Sequence, residues 1–173
     1  NFHDLLVKGA FGSFRKLLED VSLNPMMGIY LSHLRNNRAT GSALPDENYA
    51  REVMQLFSIG LNELNPDGTL RLDAQGLPIP TYNQTTISET AKVFTGWSWA
   101  CPEWPDNSCF FNGSANGSSD PDRSFKSMLG YPQYHSIEEK KFLGVSIAAQ
   151  SQSDPQASLK VALDTLAAHP NVG

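Results

Sequence analysis

The chain has 173 residues, 40% of them hydrophobic and 18% charged, with a net charge of -5. That is ample apolar content for one folded domain spanning residues 1–173, and it places the chain outside the disordered regime. The acidic balance argues against a nucleic-acid partner, since the densest basic pair, Lys140-Lys141, follows two acids; no apolar run approaches the ~18 residues of a membrane span.

Phe2, Leu5, Leu6, Ala10, Phe14, Leu17, Leu18 and Val21 recur at helical spacing and predict one long amphipathic helix, weakened by Gly9 and Gly12. Asn24-Pro25 pairs an N-cap residue with proline at the first helical position, so a second helix is expected from there to about Asn36. It should turn Met27, Tyr30, Leu31 and Leu34 inward. A polar loop over 37–44 leads to the run from Glu47 to Gly60, the densest signal in the chain. Its apolar stripe is Tyr49, Val53, Leu56 and Phe57, with Gly60 placed to end the helix. Glu47 and Arg51 stand four apart and meet on the helix surface, with Glu52 beside them.

After Gly60 the pattern changes. Asn65-Pro66-Asp67-Gly68 and Ala74-Gln75-Gly76 are turn sequences flanking alternating residues, which predicts a β-hairpin arm over about 64–82 with a proline-broken edge. Thr86-Ile87-Ser88-Glu89 fits a capping box and should open a helix that buries Ile87, Ala91 and Phe94 and stops at Gly96. Residues 98–132 are rich in Asn, Ser, Gly, Asp and Pro, and read as a long irregular loop carrying Trp99, Trp104, Phe110 and Phe111. Within it Cys101 and Cys109 can close a small disulfide loop or remain free thiols. The loop-forming residues between them and the lack of a C-x-x-C spacing favour the disulfide, and with it an oxidising compartment. Short ordered pieces, such as a strand pair, are expected over 134–147. Asp154-Pro155 should start a last helix with Leu159, Ala162, Leu163 and Leu166 buried, ending near His169-Pro170.

The fold expected from these elements is mainly α: a multi-helix bundle with a small β-hairpin insertion and a long irregular loop. The chain begins at Asn1 rather than Met and closes at Asn171-Val172-Gly173, which reads as a piece of a longer protein. An export signal would then lie outside this stretch.

Three ordered motifs carry a family resemblance. Asp46-Glu47-Asn48-Tyr49-Ala50-Arg51-Glu52, then Val93-Phe94-Thr95-Gly96-Trp97, then His135 with Lys141-Phe142-Leu143-Gly144 together resemble the bacterial domain of unknown function 1800. The closing Leu166-Ala167-Ala168-His169-Pro170 also fits. Gln55, Phe57 and Ser136 depart from the residues usual in that family, an acid, a histidine and an aspartate, and those changes thin any polar site built there. The resemblance implies a longer protein, export across the inner membrane, and a sulfatase-like partner protein. It carries over no established reaction and leaves the cofactor unknown.

Several side chains are candidates for chemistry. Glu47, Arg51 and Glu52 could orient a substrate or serve acid–base work, or could simply form ion pairs that support their helix. Asn48 could contact a ligand or cap a neighbouring backbone group. His135 with Glu138 and Glu139 has the spacing of a half metal site that a residue such as Glu47 or Glu52 would have to complete, although a structural histidine is the favoured reading and no metal is expected. Trp99 and Trp104, if exposed, would offer a stacking platform for sugar rings; if buried, they would pin the loop. No nucleophile elbow, zinc-protease helix or phosphate loop is present. The leading expectation is an extracytoplasmic cell-envelope module that binds or scaffolds, on a polysaccharide. The alternatives are a hydrolase, metal-dependent or not, whose site near the 47–60 run gathers Glu47, Arg51, Glu52 and His135 in one pocket, and a purely structural helical module.

Overall fold

Glycine and serine end the first helix early. Gly9 lies where any Cβ would meet the Leu17 side chain at 2.5 Å, and Ser13 accepts a hydrogen bond from the Lys16 amide at 3.4 Å. The expected single helix is therefore two, α1 (Phe2–Gly9) and α2 (Phe14–Ser22). The computed structural model describes residues 2–172, so the expectations resting on Asn1 and Gly173 lie outside it.

Asn24 caps α3 (Pro25–Tyr30) through a 2.9 Å bond from the Met26 amide. This helix stops six residues short of the expectation because the chain doubles back. Ser32 and Arg35 take left-handed φ angles of 62° and 67°, and the Leu34 amide bonds to the Gly28 carbonyl at 2.9 Å. Tyr30 is left exposed as a result. In α4 (Asn48–Gln55) the buried residues are Tyr49, Ala50, Val53 and Met54, whereas Leu56 faces outward. The helix ends at Gln55, so Leu56 no longer follows its spacing.

The arm beyond Gly60 is held by single bridges, Asn62 to Pro80, Leu64 to Leu70 and Leu72 to Pro78, around the two turns read from the sequence. Asn171 fastens its base, donating to the Ile59 carbonyl at 2.7 Å and the Asn62 carbonyl at 2.8 Å. α5 (Gln84–Ala91) is capped three residues before Thr86, where the expected capping box begins. Asn83 is the true cap and pairs with Thr86, while Glu89 instead accepts from the Lys141 amide at 3.0 Å and Lys92 Nζ at 2.8 Å. A 3-10 turn, Lys92–Phe94, follows.

The stretch read as irregular is partly ordered. β1 (Trp97–Ser98) pairs antiparallel with β4 (Leu129–Gly130), α6 (Asn107–Asn112) lies between them, and β2 (Ser114–Ala115) pairs with β3 (Ser118–Ser119). The hairpin of β5 (Lys140–Phe142) and β6 (Val145–Ile147) turns on Leu143 and Gly144, both at positive φ as a two-residue hairpin loop requires. α7 (Pro155–Ala167) is capped by Asp154 and buries the four apolar residues read from its spacing.

A multi-helix bundle is not what forms. The chain is 37% helical and 13% strand, with seven short helices and three small strand pairs among the described residues. Most helices last two turns, too short to present a continuous seam to a neighbour, so the core is closed by irregular segments instead. Its main cluster gathers α2, α4, α5 and α7 around Tyr49, Phe94 and Trp97. A second, smaller cluster holds Cys101, Cys109, Phe110, Ala115 and Tyr131.

Gly96 is the crossing that brings these parts together. Its amide donates to the Asn36 carbonyl at 2.8 Å, its carbonyl accepts from the Tyr131 amide at 2.7 Å, and a Cβ there would stand 2.7 Å from the His135 amide nitrogen. With φ at 79° as well, Gly96→Ala should cost about 2–5 kcal/mol in urea unfolding from strain and overpacking combined. Gly68→Ala, at φ 81° but facing open space, should cost about 1–3 kcal/mol from the backbone alone. Equal losses would contradict the crowding assigned to Gly96.

Candidate functional site

The side chains singled out from the sequence fall into separate places. Glu47 precedes α4 and reaches across to α5, where it accepts from Gln84 Nε2 at 2.7 Å and Ser88 Oγ at 2.6 Å. Arg51 lies 3.6 Å from the same carboxylate and 3.4 Å from Gln84 Oε1. A half-exposed pair at that distance is worth about 0.5 kcal/mol, so the group mainly fastens α4 to α5. Asn48 is exposed; its amide nitrogen bonds to Asp46 Oδ1 at 2.8 Å and its side chain reaches Ser32 Oγ at 3.4 Å. Glu47 also lines a cleft of about 150 Å3 with Ser88, Lys92, Ser136 and Glu138. Burial alone would depress the Lys92 ammonium, but Glu89 and Glu138 outweigh it and hold the ammonium above its ordinary value.

Glu52 points elsewhere. Its Oε2 is buried without a hydrogen-bond partner, and so is the hydroxyl of Tyr82. Burial raises the Tyr82 hydroxyl; the Arg51 charge opposes that shift and the Glu52 charge adds to it. A carboxylate oxygen and a phenol left unpaired in neighbouring space carry a desolvation cost that a polar ligand would relieve.

His135 has no exposed surface. Its Nδ1–H donates to the Thr95 carbonyl at 2.8 Å, and Nε2 accepts from Ser158 Oγ at 3.0 Å. Both nitrogens are satisfied and the ring does not line the Glu47 cleft, so Glu47, Arg51, Glu52 and His135 do not meet in one pocket. Glu138 is turned to Lys92 at 3.1 Å. Among the described residues no three His, Cys, Asp or Glu side chains gather as a metal site would need.

Sequence reasoning missed Lys140, which is fully buried and donates to the carbonyls of Ser136 at 2.7 Å and Glu138 at 3.2 Å. Burial first, then the Lys92 charge, pushes it down to about 8. Its alternation with Phe142 along β5 was the available signal, since period two puts both on the inner face.

The aromatic loop forms the other candidate. Cys101 and Cys109 are joined as a disulfide, which closes the loop carrying Trp104 and fixes the start of α6. Phe110 stacks on Tyr134 with ring centres 3.9 Å apart, and Tyr131 donates to the Trp99 carbonyl at 2.7 Å. Phe111 is left 48% exposed and Trp104 46% exposed, the latter with its indole N–H bonded to the Gly130 carbonyl at 2.9 Å. Trp99 and Phe111, with Arg35, Asn112, Arg123 and Ser124, line a cleft of about 340 Å3. Arg35 and Arg123 were not read from the sequence, where nothing local links them. A larger concavity, about 610 Å3, lies between α1, α2 and Phe125 and is lined by none of the candidates.

These features define a disulfide-bonded protein of short helices and strand pairs, in which no described helix is long and apolar enough to cross a membrane. The chain belongs to the family described as protein of unknown function (DUF1800), whose family model matches residues 1–173. No curated protein and no solved structure matches it significantly.

The buried histidines give a pH test. Burial, above all, pushes His33 and His135 down to about 4, whereas an unfolded imidazole titrates near 6.5. Between those values the unfolded chain binds protons that the folded chain does not, so stability is fully present above about pH 6.5 and falls as the pH drops towards 4. Each histidine should account for about 3 kcal/mol of that loss. Urea unfolding at steps from pH 7 to 4.5 should show a steady decline, less steep in His135→Gln; a flat profile would contradict the burial of both rings.

Proposed function

We propose that the chain is an extracytoplasmic module of the bacterial cell envelope that binds a polysaccharide or serves as a scaffold on it. The carrying observation is the aromatic cleft: Trp99 and Phe111 present apolar ring surface beside a concavity of about 340 Å3, and Trp104 is half-exposed in the disulfide-closed loop between them in sequence. Sugar rings have an apolar face that lies flat against such side chains, and a cleft of this size suits one or two of them. The disulfide supports an oxidising compartment, hence the extracytoplasmic placement. The polar residues of the run from Glu47 to Gly60, by contrast, are mostly occupied in tying α4 to α5.

A second reading is favoured by the unpaired Glu52 Oε2 and Tyr82 hydroxyl: a hydrolase whose site lies beside α4. The two readings part company in a binding panel. Isothermal titration against envelope polysaccharides should find a ligand whose affinity drops about tenfold or more in Trp99→Ala or Trp104→Ala, the loss of one stacked aromatic contact. Glu52→Gln should leave that affinity unchanged. Absence of binding to every polymer, together with hydrolytic turnover lost in Glu52→Gln, would reverse the order of the two readings.

A further inference from the structure

The aromatic cleft carries two guanidinium groups that touch no carboxylate. Among the described residues neither Arg35 nor Arg123 makes an ion pair.

Both are held in place by the fold. Arg35 has φ at 67°, a left-handed conformation costly for a side chain of its size, and it is kept there by a 2.8 Å bond from its amide to the Trp97 carbonyl. Its Nη1 donates to the Phe111 carbonyl at 3.2 Å, one of five available N–H groups, and the remaining donors are not claimed by protein. Arg123 lies over the Trp99 ring, its guanidinium carbon 5.9 Å from the ring centre. Gly113 makes that approach possible, since a Cβ there would come within 2.8 Å of the Arg123 chain and 3.1 Å of Trp99. The acid bearing on Arg123, Asp120, is already occupied: it accepts from Lys126 Nζ at 2.6 Å and from the Asp122 amide at 2.9 Å. Arg123 reaches only the Asp120 backbone carbonyl, at 3.5 Å.

Two oriented guanidiniums with no ion-pair contact, set against an aromatic wall, are suited to a ring that has an apolar face and carries an oxyanion. The fork of N–H donors matches carboxylate or sulfate oxygens, and the ring covers apolar surface beside it. We infer that the cleft of Arg35, Trp99, Phe111 and Arg123 binds an acidic sugar, its oxyanion on the two arginines and its ring against the aromatic wall. This rests on the reading of the chain as a polysaccharide-binding module and names the class of polymer. The oxyanion can be a uronate carboxylate or a sulfate ester, which share this chemistry.

The test is titration calorimetry of the whole chain with polymannuronate, dextran sulfate and neutral dextran at about 0.15 M salt, where loose long-range attraction is largely screened. One or both acidic polymers should bind at least about tenfold tighter than dextran, and Arg123→Ala should weaken that binding about five- to thirtyfold. Arg35→Asn should do the same, and asparagine is chosen because it tolerates the left-handed backbone. Lys160→Ala, on α7 and outside the cleft, should have no effect. Tighter binding of polymannuronate assigns the carboxylate, and tighter binding of dextran sulfate assigns the sulfate. Dextran binding as tightly as the acidic polymers, or an equal loss in Lys160→Ala, would overturn the inference and leave the module reading standing. Binding to none of the three while another envelope polymer binds would overturn the inference alone, and binding to no polymer at all would overturn both.

Discussion

Gly96 sits where three stretches of chain pass too close for any side chain. Asn36 bonds to it from one side, Tyr131 from the other, and the backbone of His135 presses against its α-carbon. One residue further on, Trp97 fills the core and its carbonyl holds the Arg35 amide. The segments around 35, 96 and 135 are therefore one crossing rather than three sites. That crossing sets the buried ring of His135, the left-handed backbone at Arg35 and the short pairing of β1 with β4. Two of the three family motifs meet there, which gives the F-T-G-W run and the later histidine a packing reason to occur together.

The third motif works in a similar way. Tyr49 is wholly buried, stacks on His33 with ring centres 3.8 Å apart, meets Phe94 edge-on, and donates to Ser22 Oγ at 2.7 Å. Burial keeps His33 neutral, and its Nε2–H donates to the Ser22 carbonyl at 2.8 Å. Glu47 then pins the start of α4 to α5. Most of the ionisable residues that made the sequence look like a reaction centre are thus employed in joining helices, with Glu52 the exception. Arg35 and Arg123, which touch no carboxylate, lie instead beside the far less patterned loop, where a disulfide adds a constraint that regular structure does not supply.

The parts of the fold legible in the sequence were those fixed by neighbours in the chain. Asn24 and Asp154 as caps, the proline starts beside them and the buried face of α7 all depend on residues within one or two helical turns, and all are where the spacing puts them. What the sequence misjudged depends on distant partners. The Thr86–Glu89 box failed because β5 claims Glu89, and α3 ended early because Leu34 folds back on Gly28. The expected bundle failed for the same reason repeated along the chain: short helices end wherever a crossing segment offers a better partner. The site residues divide likewise. Trp99 and Phe111 announced themselves as aromatics in a polar loop, but Arg35 and Arg123 are brought together only by the crossing at Gly96 and by α6.

On the proposed reading, ligand recognition lies at the cleft of Arg35, Trp99, Phe111 and Arg123 beside the disulfide-closed loop and not on α4. Amide chemical-shift mapping of the whole chain with an acidic oligosaccharide decides between the two, because it reports on every segment at once. Shifts concentrated at Arg35, Trp99, Phe111–Gly113 and Arg123 are expected, with α4 undisturbed. Shifts centred on Glu52 and Tyr82, with the loop silent, would contradict this placement and move the site to α4.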